Sequence, residues 1–316
     1  MRWVKNLVRG ALLVLVTIGI WRTVGRAIDD LQDRGFELAQ IRPGYLLAAG
    51  LCYLVGLLPS WWFWHRTLQA MGQRPGCRET LRAFFVGHLG KYVPGKALVI
   101  VLRTDLVRSH RVSTSVAATS VFVETLTMMG VGAFLAAALL AALFREHVWL
   151  IGLAIGLMVA IGVPTLPPIF RMIVRLVGVR RIEPDIDAAL AGLDYRLMSF
   201  GWITMAAGWW MLGVSLWLVL QAVGASIAFT PYELSLVTAC AALAVVAGFL
   251  SLLPGGIGIR ELVVMTLLAE PFGAGAAAIS AILLRLVWLL GELILAGALY
   301  AWRLPAEQVE MQESTG

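Results

Sequence analysis

The chain has 316 residues, 60% hydrophobic and 14% charged, with a net charge of +6 and a mean hydropathy of +0.85. A soluble domain carries about 25% charged residues, so composition excludes a water-soluble globule and points to repeated bilayer crossings of about 20 apolar residues each. Roughly six to eight crossings would use almost the whole length, which leaves no separate catalytic domain and confines any chemistry to the membrane region. The positive charge comes mostly from loop arginines, a pattern that sets orientation in a membrane and argues against nucleic acid as a partner.

At the N-terminus, Arg2, Lys5 and Arg9 precede the apolar run Gly10 to Ile20. The arrangement has the outline of a signal peptide, but Trp21 and Arg22 close it without a small-residue cleavage site, so it reads as an uncleaved first helix with its basic end in the cytoplasm. Asp29, Asp30 and Asp33 match the aspartate spacing with which prenyl-transferring enzymes hold magnesium diphosphate. No second acidic motif accompanies them, and Arg26 and Arg34 flank them, as in a solvated external linker. No metal site and no cofactor are expected.

A second crossing runs from about Pro43 to Trp64, with Trp61, Trp62 and Trp64 as an interfacial belt and Arg66, Arg74, Arg78 and Arg82 marking a cytoplasmic loop. The apolar segment Ala83 to Leu102 is interrupted by Gly87, Gly90, Pro94 and Gly95, contains Lys91 and Lys96, and is followed by Arg103, Arg108 and Arg111. Basic flanks at both ends predict a re-entrant hairpin opening to the cytoplasm. Val112 to Phe144 is a long outward crossing whose one ionisable residue is Glu124, and Val148 to Phe170 returns to a basic connector with Arg171, Arg175, Arg180, Arg181 and Arg196.

From Leu197 an uncharged stretch crosses outward. The run Leu234 to Leu253 then breaks at Pro254, Gly255, Gly256 and Gly258, followed by Arg260 and Glu261. Its flanks are not basic, so a hairpin from the outer face fits. The last helix, Ala274 to Trp302, returns to a cytoplasmic Arg303 and a polar tail, 304–316.

The expected fold is thus an all-α polytopic membrane protein, a single transmembrane domain over 1–303 built as an inverted-repeat-like bundle with halves at about 43–170 and 197–303. Two re-entrant or broken elements oppose each other around a polar cavity near the midplane. Either break is alternatively a kinked full crossing. The charges supply the site: Gly90 to Lys96 frees backbone N–H groups beside two ammonium groups, a setting for an anionic head group. Lys91 and Lys96 alternatively snorkel to bilayer phosphates. Arg260 offers a planar charge for phosphate, or pairs with Glu261 or another acid. Glu124 needs a partner, with Lys91, Lys96, Arg260 and Arg285 as candidates, and has either a proton-coupling or a purely structural role. Arg285 and Glu292, about two turns apart, share an inward face. His88 precedes the first break and reads as a hydrogen-bonding core residue. Cys52, Cys77 and Cys240 lack metal-ligand spacing and read as packing residues.

Gly90-Lys-Tyr-Val-Pro-Gly-Lys96, Arg103, Glu124 and Leu253-Pro-Gly-Gly-Ile-Gly-Ile-Arg-Glu261 follow the order and approximate spacing of a flippase-like family. That family is named for the transmembrane region of lysylphosphatidylglycerol synthase and also called the multiple peptide resistance factor family. The resemblance covers most of the chain, and its second motif is the more specific. In several relatives arginine follows the glutamate, whereas Thr125 follows Glu124 here.

The resemblance implies a multi-pass plasma-membrane (inner-membrane) protein with cytoplasmic termini that moves an anionic phospholipid or lipid-linked intermediate between leaflets. Lys91, Lys96, Arg103, Glu124, Arg260, Glu261 and Arg285 would serve as substrate-binding residues. The chain stops thirteen residues after Arg303, without the aminoacyl-transfer domain of some relatives, so a transporter rather than an enzyme is expected. Alternatively it is a non-transporting subunit that presents lipid to a separate glycosyltransferase or aminoacyltransferase, or a carrier of a small solute. A homo-oligomer is compatible with each reading.

Overall fold

The computed structural model describes residues 41–93, 97–108, 112–143, 155–156, 158–160, 162–176 and 186–302, with 152. The first crossing, the aspartate-rich linker, Pro94, Gly95, Lys96, part of Val148 to Phe170, Arg180, Arg181 and the polar tail lie outside the described residues. Those described form an all-helical bundle. Five helices are long and apolar enough to cross a membrane: α1 (Pro43–Ala70), α4 (Thr114–Leu143), α7 (Tyr195–Ala222), α8 (Pro231–Leu250) and α10 (Ala274–Ala301). Shorter helices join them: α2 (Cys77–His88), α3 (Ala97–Val107), α5 (Pro167–Leu176), α6 (Ile186–Ala191) and α9 (Ile259–Phe272).

The frame is the antiparallel pair α1 and α7. At one end the Arg42 N–H donates to the Ala222 carbonyl at 3.0 Å, and at the other Gly192 lies against the Ala70 carbonyl. Lipid supplies no hydrophobic drive between helices, so association rests on close packing through small residues. Gly56 and Gly208 make that contact. A Cβ on Gly208 would fall 2.5 Å from the Gly56 carbonyl oxygen, so backbone meets backbone with no space for a side chain. Gly208→Leu is expected to destabilise the bundle by at least about 1–3 kcal/mol, the usual cost of overpacking, read as a lowered unfolding temperature of the reconstituted protein.

Polar links tie further helices to the frame. The Ser215 hydroxyl on α7 donates to the Ala49 carbonyl at 2.8 Å and accepts from the Trp288 indole of α10 at 2.9 Å. Trp288 in turn stacks on Tyr53 of α1, ring centroids 4.4 Å apart and 8° from parallel. The Trp64 indole donates to Ser120 of α4 at 2.9 Å.

The helix predicted to end at Trp64 continues to Ala70. Trp64 is fully buried rather than interfacial, because the Ser120 hydroxyl satisfies its N–H inside the protein. Cys240 is buried as expected, whereas Cys77 is exposed at the start of α2 and fills no core space.

Both expected breaks are present. α2 runs through a 3₁₀ turn, Leu89–Tyr92, towards α3, which packs back against it. A Cβ on Gly90 would lie 2.8 Å from the Val99 nitrogen. The arms have 12 and 11 residues, about 17–18 Å at 1.5 Å per residue, too short to span a hydrocarbon core of about 30 Å. The second break, Ser251 to Gly258, turns α8 into the 14-residue α9. Gly255, Gly256 and Gly258 there adopt φ of 60°, 71° and 84°, the left-handed region that glycine enters without penalty. The two breaks meet: Gly255 presses on the Tyr92 ring, where an added Cβ would be 3.1 Å from Cδ1.

Candidate functional site

A cavity of about 380 Å³ opens beside this contact, lined by His88 and Lys91 from the first break, Arg103 of α3, Glu124 of α4, and Gly255, Gly256 and Arg260 from the second. Apart from Tyr53 and Thr125, its other walls are apolar, including Ile100, Phe122, Met129 and Leu252. Phe122 and Leu252 are 51% and 66% exposed on the outer surface, so the pocket is charged at its inner end and apolar at its mouth.

Arg260 reaches the cavity because its stem is seated between two residues without side chains. A Cβ on Gly248 would meet the Arg260 Cγ at 2.7 Å, and one on Gly256 would meet its Nε at 2.8 Å. Arg260 forms no ion pair with any described residue, and its buried Nε has no hydrogen-bond partner among them. Glu261, next in sequence, turns the other way. It caps α9 by accepting from the Gly258 N–H at 2.8 Å and forms an ion pair with Arg285 of α10. Glu261 and Arg285 thus neutralise each other beside a separate, smaller cavity of about 30 Å³, also lined by Lys91, Tyr92 and Arg260.

Glu124 is 2% exposed and paired with the equally buried Arg103, Nη1 to Oε2 2.6 Å, with the Thr125 hydroxyl at 3.3 Å. None of the described partners expected from sequence, Lys91, Arg260 or Arg285, bonds to it. The close packing of the α2–α3 hairpin brings Arg103 there instead. The Arg103 guanidinium also lies over the Phe84 ring, 4.1 Å from its centroid, and its Nη2 is 3.4 Å from His88 Nδ1.

Lys91 pairs with Glu292 of α10, a residue 1% exposed that also accepts from the Tyr53 and Tyr92 hydroxyls, the latter at 3.0 Å. His88 Nε2 stands 3.6 Å from the same carboxylate. Sequence spacing placed Glu292 on the Arg285 face but not in this cluster. The signal for it is that Glu292 and Arg285 are the two side chains of formal charge in a helix of 28 residues.

The cavity thus gathers Lys91, Arg103, Glu124 and Arg260 from four chain segments, and the two breaks touch where Gly255 meets Tyr92. A family model described as the lysylphosphatidylglycerol synthase TM region matches residues 6–296. The chain belongs to that family. Among curated proteins, none matches it. For this lysylphosphatidylglycerol synthase TM-region protein, both motifs that carry the resemblance converge on one pocket, and its Glu124 finds an arginine on the hairpin in place of one beside it in sequence.

Proposed function

We propose that the protein is a transporter of an anionic phospholipid or lipid-linked intermediate across the plasma membrane, with both termini cytoplasmic and the two broken elements entering the bilayer as re-entrant hairpins. The observation that carries this reading is Arg260, a planar cation at the inner end of the cavity that forms no ion pair with a carboxylate among the described residues. Its fork matches two phosphate oxygens, and Lys91 faces the same space with three N–H donors, of which Glu292 and Tyr53 use two. The apolar mouth between Phe122 and Leu252 supports acyl chains that stay in lipid while the head group enters. The volume of about 380 Å³ falls within the range of ligand pockets, about 300–1,000 Å³. In this reading no covalent bond is made or broken.

The test is movement of acyl-labelled phosphatidylglycerol in vesicles holding the full chain, measured by quenching of the label in the outer leaflet. Phosphatidylglycerol is expected to exchange between leaflets at least about tenfold faster than labelled galactosyl diacylglycerol, which has no phosphate to engage Arg260; one well-made charged contact accounts for that ratio. Equal rates for the two lipids would overturn the reading. Binding of lipid without movement would favour a subunit that presents lipid to a separate transferase.

A further inference from the structure

Two buried carboxylates flank the cavity, and their surroundings suit opposite tasks. Glu124 faces Arg103, whose guanidinium stays charged and only donates, so that pair is fixed. Glu292 is held by Lys91 and also by two tyrosine hydroxyls and a histidine, groups that can exchange donor and acceptor roles. The hydroxyls of Tyr53 from α1 and Tyr92 from the first break donate to it, Lys91 pairs with it, and His88 Nε2 is 3.6 Å away. A tyrosine hydroxyl that donates to a carboxylate accepts from a carboxylic acid once it rotates. The cluster therefore satisfies Glu292 with or without a proton.

Beyond Lys91 lie Arg260 of α9 and, across the small cavity, the Glu261–Arg285 pair. That cavity, about 30 Å³, has the volume of about one water molecule in the liquid. It connects the partly exposed pair with Lys91 and Tyr92, a route for a proton to the Glu292 cluster.

Resting on the transport reading above, we infer that Glu292 couples movement of the anionic head group to a proton: it binds one when phosphate occupies Lys91 and Arg260, and both travel in the same direction. Lys91 carries the linkage because it faces the cavity and Glu292 at once. An anion bound on its free side puts a second negative charge beside Glu292, which favours the protonated carboxyl. By reciprocity, protonation of Glu292 tightens anion binding by the same factor.

The experiment uses vesicles holding the full chain and labelled phosphatidylglycerol, with a pH difference of one unit across the membrane and voltage clamped to zero. For one proton per head group, the label is expected to accumulate about tenfold in the leaflet facing the alkaline side, relative to protein-free vesicles, since one pH unit is a tenfold proton ratio. With pH equal on both sides, an imposed voltage is expected to leave the distribution unchanged, because anion and proton cross as a neutral pair. Exchange without pH-driven asymmetry would overturn the coupling and leave the transport reading standing, whereas no exchange at all would remove both. Glu292→Gln is expected to slow exchange and abolish the asymmetry, and Glu292→Asp to restore it. Asymmetry that persists in Glu292→Gln would also overturn the inference, and the wild-type measurement decides it even where a variant fails to fold.

Discussion

Replacing Arg103 with leucine is expected to lower the stability of the protein by about 3–5 kcal/mol, the cost of stranding one partner of a buried ion pair. Arg103 and Glu124 are each 2% exposed, so the carboxylate left behind is solvated far less than it would be in bulk water. Contacts of the guanidinium with the Phe84 and Trp64 rings, at 4.1 and 5.5 Å, are lost as well, each worth about 0.5–2 kcal/mol. Glu124→Leu strands the arginine and is expected to cost a similar amount. The double variant Arg103→Leu with Glu124→Leu should recover most of the loss, because removing both charges removes the desolvation penalty. Thermal unfolding of the four proteins in lipid nanodiscs closes the cycle. A double variant as unstable as the sum of the singles would show that the pair is not one unit. The stable double variant is still expected to transport poorly, since two charged groups of the cavity wall are gone.

Arg260→Ala is expected to do the reverse, leaving stability within about 1 kcal/mol, as for a side chain without an ion-pair partner among the described residues, while slowing phosphatidylglycerol exchange about a hundredfold. Charge-assisted hydrogen bonds contribute about 1.5–3 kcal/mol each. A bidentate grip on phosphate involves two, and about 3 kcal/mol corresponds to a factor near 10². Arg260→Lys keeps the charge but loses the fork and should fall between, about tenfold slow. The side chain makes no ion pair among the described residues, so a large drop in melting temperature for Arg260→Ala would assign it to the framework rather than to the lipid.

The placement of the breaks was legible in the sequence because glycine and proline interrupt a helix by their own stereochemistry, without reference to the rest of the fold. The second motif was the plainest, since Gly255, Gly256 and Gly258 all adopt positive φ. Pairings between distant segments were less legible. Glu124 was matched with Lys91, Lys96, Arg260 or Arg285, but its partner is Arg103, 21 residues away on the return arm of a hairpin whose close packing no local pattern reveals. Glu292 shared a helix face with Arg285, yet each bonds elsewhere, to Lys91 and to Glu261, because α10 runs past both breaks. Trp64 and Cys77 departed from expectation for a related reason: composition ranks how apolar a side chain is, and neighbours decide whether it is covered.

The span of 201 residues between Lys91 and Glu292 bears on how the chain is assembled during synthesis. The α2–α3 hairpin leaves the ribosome well before α10 does, with Lys91 still lacking its counter-charge. Arg103 is answered soon, when Glu124 emerges, but the lysine waits until α10 is made. The turn at Lys91 therefore gains its counter-charge only once α10 has been made, 201 residues later, and until then an ammonium stands between the two short arms with no Glu292 carboxylate to answer it.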